Sequence, residues 1–236
     1  MSYWDNRKPV QRERAVNVRD IEQRAVALLD ERGTRGLTIR AVASSLDVAP
    51  ASLYSRVSSV DDLFDLALDA ALREDQVVQQ ALEDASLPSL MFALYRHLVA
   101  HPWTCQVIAT RAPRGPNYLR LSERMCTLLR VAGAQDPLSE AYALSNFVIG
   151  SATTASTATS ERSAPVDQDI APLYAALHRD HTPDAEAIFK SGLNALLTTT
   201  TAPSAGGTTA QDASAPNAST TGIAHGTRGD VQVPRT

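Results

Sequence analysis

The chain has 236 residues, of which 44% are hydrophobic and 5% aromatic, and its formal net charge is -4 at pH 7. This length predicts one or two compact units with tails, and the net negative charge argues against a general nucleic-acid coat protein. Two cysteines, Cys105 and Cys126, are too few for a disulfide framework or a thiolate metal site, so we expect reduced thiols.

Positive charge is concentrated at the N-terminal end of the chain. Residues 1–60 hold ten basic and seven acidic side chains, a net +3, whereas residues 61–236 hold 12 basic and 19 acidic side chains, a net -7. This distribution is typical of a protein that binds the phosphate groups of a nucleic acid through its N-terminal part only. No apolar run reaches the ~20 residues that a membrane helix needs, and no apolar leader is visible, so we expect a cytoplasmic protein without membrane contact.

The chain opens with a polar, basic stretch, residues 1–14, which we interpret as a flexible arm. Lys8 and Arg12 are its candidates for contacts with phosphates or a minor groove. A solvated terminus without such a role is the alternative.

Three helices are predicted next. The spacing of Ile21, Ala25, Leu28 and Leu29 places them on one face of a helix that ends near Gly33. A second helix is predicted to start near Thr38, and a short third helix covers about 50–56, with Pro50 in its first turn and Leu53 buried. Ser59 is expected to cap a long fourth helix that continues to about Asp84.

Prolines divide the second half of the chain into further predicted helices. A capping residue or a proline opens each one. The predicted ranges are about 88–100, 102–112, 116–132, 138–159 and 183–197. After about residue 200 the composition becomes rich in Ala, Thr, Ser, Gly and Pro, which predicts a disordered tail over 201–236.

The pattern up to residue 60 is typical of a helix-turn-helix, whose last helix enters the major groove of DNA. The predicted third helix suits that role because its outward residues are small or form hydrogen bonds. A packed three-helix corner with a solvated face is the alternative from periodicity alone. The candidate contacts are Thr38, Arg40, Ala49, Pro50, Ala51, Ser52, Tyr54, Ser55 and Arg56.

Three stretches in register resemble the DNA-binding domain of the tetracycline-repressor family: residues 25–33, 37–43 and 51–54. The resemblance implies that Thr38 and Tyr54 hold phosphates and that Arg40 and residues 49–56 read bases. Three positions depart from the family pattern. Asp47 replaces the usual glycine of the turn, Val57 the usual aromatic, and Val60 the usual lysine of the fourth helix.

The second half resembles the sensor domains of the same family more faintly, through His101-Pro102-Trp103, Gly115-Pro116-Asn117 and residues 147–150. This resemblance implies a cavity for a small, largely apolar ligand and a dimer formed by the last two long helices. Small residues would let those helices approach closely, namely Ala143, Gly150, Ala152, Gly192 and Ala195. The candidate cavity residues are His97, Trp103, Gln106, Thr110, Arg111, Tyr118, Met125, Tyr142, Asn146 and Phe147.

No signature of catalysis or of a metal site accompanies these features. His97 and His101 have a metal-pair spacing, but no third ligand accompanies them and Pro102 ends the helix. His178 and His181 are expected in a solvent-facing loop. We therefore expect neither a cofactor nor a metal, and no enzyme activity.

The sequence as a whole predicts an all-α fold with four parts: an arm (1–14), a helix-turn-helix domain (15–60), a helical ligand-binding and dimerisation domain (61–200), and a tail (201–236). The preferred hypothesis is a ligand-responsive transcription regulator that binds a palindromic operator as a homodimer. Repression is preferred over activation. Two other hypotheses stay open. One is a helical ligand-binding or scaffold protein that has lost DNA binding, and the other is a small helical enzyme.

Overall fold

The described part of the chain is built from helices alone. The computed structural model describes residues 2–5, 16–158 and 164–200, and within them it contains no β-strand. The predicted all-α class is therefore confirmed. The helices are α1 (Val18–Arg32), α2 (Ile39–Ser45), α3 (Pro50–Leu53), α4 (Val60–Glu74), α5 (Gln76–Asp84), α6 (Leu87–Ala100), α7 (Trp103–Thr110), α8 (Pro116–Val131), α9 (Pro137–Ala155), α10 (Pro172–Asp180) and α11 (Ala185–Thr200).

Polar side chains cap the first two helices, and the start of the second near Thr38 was predicted. The Asn17 side chain accepts a hydrogen bond from the Arg19 backbone N–H and caps α1. Thr38 does the same for α2 through the Ala41 N–H, at 3.0 Å. Such caps satisfy N–H groups that have no partner inside the helix, and each stabilises it by about 1 kcal/mol.

The turn between α2 and α3 depends on Asp47. Its φ is +52°, in the left-handed region that glycine adopts most easily and that Asp tolerates better than most residues. The expectation that this turn survives without a glycine is confirmed. Pro50 follows at the start of α3, where its missing N–H is not needed.

The predicted fourth helix, 59–84, is wrong in one respect, because it is divided into α4 and α5 at Asp75. Asp75 has an extended backbone, with φ -76° and ψ 99°. Its side chain accepts hydrogen bonds from the backbone N–H groups of Val77 and Val78, so it caps a new helix. Local bonding by a short acidic side chain therefore breaks an apolar pattern that would otherwise continue.

The body of the protein packs α5, α6, α8, α9 and α11 around one apolar core. An aromatic stack joins three of these helices: the Phe189 ring lies 4.2 Å from Tyr95 and 5.4 Å from Phe147, between ring centroids. A second core holds α1 to α4 together and includes Trp103 and Val107 of α7. α7 thus contacts both cores.

Helix α10 was not predicted, and the expected loop around His178 and His181 is wrong for His178. That residue lies in the last turn of α10, and His181 follows as the residue that ends the helix. Two apolar side chains of α10 are exposed, Leu173 by 72% and Leu177 by 63%. The tail at 201–236 lies outside the described residues.

Candidate nucleic-acid interface and ligand cavity

The outer surface of α2 and α3 carries most of the predicted DNA contacts. Leu53 and Val57 are fully buried in the core shared by α1 to α4, while Tyr54 and Ser55 between them face outward. Val57 therefore fills the place of the usual aromatic residue within a closed core. Exposed on this surface are Thr38, Arg40, Ala49, Pro50, Ala51, Ser52, Tyr54 and Ser55.

Thr38 combines two properties on this surface. Its hydroxyl oxygen accepts the bond that caps α2, so its position is fixed by the helix. A hydroxyl that accepts a bond keeps its own proton for donation to another oxygen, such as that of a phosphate. A contact from Thr38 to DNA would therefore not disturb the cap.

Arg56 departs from the expected outward orientation. It is half-buried, and its Nε donates to the backbone carbonyl of Val16 at 2.8 Å. This bond ties the turn after α3 to the segment that precedes α1. Through this bond, Arg56 stabilises the outer surface of α2 and α3, which we call the reading surface. Lys8 and Arg12 lie outside the described residues.

A cavity of about 600 Å³, the near cavity, lies where α7, the loop 111–115, α8 and α9 meet. This volume is within the range of small-molecule sites. Burial raises the pKa of the Tyr118 phenol on its wall, so this group is held as a neutral hydrogen-bonding partner. Six of the ten candidate cavity residues line it: Thr110, Arg111, Tyr118, Met125, Tyr142 and Asn146.

The other four candidates lie elsewhere. Gln106 lines a second cavity of about 790 Å³, the far cavity, between α6, α7, α9 and residues 184–186. His97, Trp103 and Phe147 line neither of these two cavities, and a contact from them to a ligand stays a prediction. Each of the three has a partner inside the protein instead.

His97 joins α6 to the start of α5. Its Nδ1 lies 2.9 Å from the Asp75 carboxylate, and its side chain is fully buried. This hydrogen bond holds the pKa of Asp75 below its ordinary value, against the effect of partial burial. Phe147 belongs to the aromatic stack and packs so closely on Gly192 that a Cβ there would lie 2.6 Å from its ring.

Trp103 connects the body to α1. The indole Nε1 donates to the Asp30 carboxylate at 2.6 Å, and His101 Nδ1 lies 2.7 Å from the same oxygen. Asp30 is on α1, and the two aromatic residues flank the start of α7. Trp103 was a candidate for contact with a small molecule, and His101 had the spacing of a metal pair with His97. Both bind Asp30 and thereby connect α7 to α1. Within the described residues, no group of His, Cys, Asp and Glu could hold a metal ion.

Arg111 links the near cavity to α4. It lines the cavity, and its guanidinium donates to Asp65 from Nε at 3.0 Å and pairs with Asp61 at 2.8 Å. Asp65 is buried, and a buried carboxylate is stable only with such partners. The same carboxylate accepts bonds from the Ser2 hydroxyl and the Tyr3 N–H, so residues 2–5 contradict the prediction of a flexible arm.

Asp69 continues this row of carboxylates by one helical turn. It is buried and accepts hydrogen bonds from the Asn117 backbone N–H at 2.8 Å and side chain at 2.7 Å. The contact requires Gly115, because a Cβ there would lie 2.2 Å from the Asp69 carboxylate. The four-residue spacing of Asp61, Asp65 and Asp69 was a usable signal of one acidic face on α4, but not of its partners.

Each helix in the described part of the chain is too short or too polar to cross a bilayer.

Two family models match the chain. Residues 15–67 match the model described as bacterial regulatory proteins, tetR family, and residues 84–199 match the model described as tetracyclin repressor-like, C-terminal domain.

Individual proteins are also similar to this chain. An HTH-type transcriptional regulator of Saccharopolyspora erythraea is 40% identical over 134 residues, which cover 54% of this chain and 56% of that protein. The HTH-type transcriptional repressor DrrR1 of Streptomyces coeruleorubidus is 34% identical over 142 residues, covering 56% and 51%. The chain thus matches about half the length of these curated relatives.

Among solved structures, ActR of Streptomyces coelicolor in complex with (S)-DNPA is similar with a TM-score of 0.64 and 27% identity. The match covers 79% of this chain and 97% of ActR. It therefore extends across both the helix-turn-helix and the helices that enclose the near cavity.

Proposed function

Because the chain belongs to the tetracycline-repressor (tetR) family of bacterial regulatory proteins, we propose that it is a dimeric transcription regulator that releases its operator when a small molecule binds. The observation that carries this proposal is the outer surface of α2 and α3, with small and hydrogen-bonding residues outside and Leu53 and Val57 fully buried beneath. Such a regulator acts on the chromosome, so we place it in the cytoplasm, and we assign it no catalytic activity.

On DNA, α3 enters the major groove with its small side chains. Ala51 and Ser52 allow close approach of the helix, and Arg40 has the forked donor geometry that recognises guanine. Thr38 and Tyr54 hold the flanking phosphates and fix the register of the helix. Two such surfaces in one dimer bind a palindromic operator when they are about one helical turn apart, ~34 Å.

The dimer forms through the outer faces of α9 and α11. Ala143 and Gly150 are exposed on α9, and Ile188 of α11 is exposed by 54%. Small and apolar groups on a helix face allow close packing against a second copy. Two of the small residues expected at this interface have other surroundings, since Ala152 is buried within the subunit and Gly192 packs on Phe147.

The effector binds in the near cavity. The related ActR was solved with (S)-DNPA, and the named relative DrrR1 is a repressor, which supports release by a small molecule as the mode of regulation. Arg111 supplies the connection, because it lines the cavity and bonds Asp61 and Asp65 of α4. A ligand that displaces the loop 111–115 also moves α4 and the reading surface. The distance between the two reading surfaces of the dimer then fits the operator less well.

The test starts with selection of genomic fragments that the purified protein retains, followed by a mobility shift on the recovered sequence. Substitution of Arg40→Ala together with Tyr54→Ala should abolish specific retardation while the protein stays folded. A wild-type protein that retains no fragment at any salt concentration would favour the alternative of a ligand-binding protein that has lost DNA binding.

A further inference from the structure

The near and far cavities follow one another along α9, and the two together are called the groove below. Residues 138–149 of α9 line the near cavity, and residues 149–156 line the far cavity. Two residues line both, Ile149 of α9 and Ala109 of α7. The two cavities therefore meet at these residues, where α7 approaches α9, and this place is the narrow point of the groove.

The narrow point is held by contacts between these two helices. The Cys105 thiol lies 3.9 Å from the Ile149 backbone carbonyl, and Ile149 is half-buried against the main core. Ile149 and Ala109 are the lining residues that the two cavities share at this point. Rotamer changes of a side chain such as Ile149 are fast and of low cost compared with movement of a helix.

The two parts share a mostly apolar lining with polar groups near the ends. Alanine, valine, cysteine and proline side chains form the walls of the far cavity, and burial raises the pKa of the Cys105 thiol, which keeps it neutral. The charged lining residues are Arg111 and Arg114 in the near cavity, and Asp184 and the Arg96–Glu186 ion pair in the far cavity. From Leu138 to Thr153 the groove follows α9 for about 22 Å at 1.5 Å per residue.

We propose that the near and far cavities form a single extended binding site for an elongated, mostly apolar molecule with polar ends, and that Ile149 determines how long a molecule it accepts. The proposal rests on the near cavity being the effector site. It extends that site past α7 and names the shape of its ligand. Each cavity alone has the volume of an ordinary small-molecule site, so a short molecule fills one part and a molecule of about twice the length fills both.

The experiment compares two probes of matched chemistry and different length, 1-anilinonaphthalene-8-sulfonate (ANS) and its covalent dimer bis-ANS. Fluorescence titration of the full chain should give one ANS molecule in each cavity and one bis-ANS molecule across both. Because the two halves of bis-ANS are linked, it should bind on the order of a hundredfold more tightly than ANS. No DNA is present, so the outcome is independent of whether the protein binds an operator.

Substitutions that fill one cavity at a time show which cavity holds each ANS molecule. Thr153→Trp fills the far cavity and Ser145→Trp the near one. Each should remove one ANS molecule and reduce bis-ANS affinity to that of ANS. Glu123→Trp, on the exposed side of α8 and outside both linings, is the control and should change neither value. Ile149→Ala, which widens the narrow point but also removes a wall contact from both cavities, should raise the ratio of bis-ANS affinity to ANS affinity.

Thermal unfolding and sedimentation verify that each variant is folded and has the wild-type assembly state. Unchanged bis-ANS affinity in Thr153→Trp would overturn the extended site, whether or not the ANS count falls, because the far cavity would then be separate or empty. Absence of bis-ANS binding to the wild-type protein would overturn it as well.

Discussion

The guanidinium of Arg111, on the loop beside the near cavity, donates from Nε to the buried carboxylate of Asp65 on α4 at 3.0 Å. Asp65 is 7% exposed, so its charge depends on this partner and on the N–H of Tyr3. The bond places the wall of a cavity and the helix behind the DNA-reading surface in one polar cluster.

Removal of Arg111 should cost more stability than its position on a loop suggests. Arg111→Gln leaves the buried Asp65 carboxylate without its cation, at a cost of about 3 kcal/mol in the free energy of unfolding. Urea denaturation measures this difference. Arg114→Gln, on the same loop and exposed, is the matched control and should change the free energy by less than about 0.5 kcal/mol.

A double-mutant cycle with Asp65→Asn isolates the interaction free energy between Arg111 and Asp65 from the other effects of each substitution. We expect Arg111→Gln to cost less in the Asp65→Asn background, because a neutral amide needs no cation. Equal costs in both backgrounds would show that the Arg111–Asp65 contact has no energetic importance.

Gly115→Ala should destabilise the protein by about 1–3 kcal/mol, since the new Cβ would lie 2.2 Å from the Asp69 carboxylate and the loop must move. Thermal unfolding measures the loss. Arg114→Ala, one residue earlier and exposed, is the comparison, and it should behave like the wild type. Equal melting temperatures for all three proteins would mean that the loop and α4 are not held together as closely as Asp69 suggests.

Stability should depend on pH through Asp75. Its folded-state pKa is lowered, first by the hydrogen bond with His97, so the contribution is complete above the ordinary pKa of 3.8 and is lost as the pH falls through the lowered value. Asp75→Asn keeps an amide oxygen that can cap α5 but removes the titration. The free energy of unfolding should therefore decline less steeply below pH ~5 in this variant than in the wild type. Parallel curves would contradict the role of the pair.

The cap at Thr38 predicts that stability and DNA affinity depend on the same hydroxyl and change together. Thr38→Ala removes the hydroxyl that accepts from Ala41 and should cost about 1 kcal/mol of stability as well as operator affinity. Thr38→Ser keeps the hydroxyl and should retain both. Unfolding and fluorescence anisotropy on the same preparations measure the two effects, and a Thr38→Ala protein with wild-type affinity would remove Thr38 from the interface.

Local features of this fold were predictable because they depend on neighbours in sequence. The caps at Thr38 and Ser59 and the left-handed turn at Asp47 are of this kind. The break at Asp75 had a local signal as well, an acid able to bond the next two N–H groups, but the apolar pattern around it favoured a continuous helix. Helix α10 had local signals as well, Pro172 at its start and Leu173 and Leu177 one turn apart, and the sequence analysis missed them.

The site was predictable only in part, because its polar contacts join residues far apart in sequence. His97 and Trp103 are polar or aromatic residues on apolar segments, which is equally typical of a cavity wall and of a buried contact. Only the packing of α7 against α1 and α4 shows that Trp103 meets Asp30, and that Arg111 meets Asp65. The outward residues of α3 could be predicted because helical periodicity alone separates them from Leu53.

The most direct test of the central claim places a negative charge on the exposed face of α3. Ala51→Glu should leave the fold and the dimer intact, because Ala51 is exposed, and should abolish specific binding to the selected operator in a fluorescence anisotropy titration. Glu123→Ala on α8 is the control and should bind as the wild type does. Wild-type operator affinity in a folded Ala51→Glu protein would show that α3 does not read DNA.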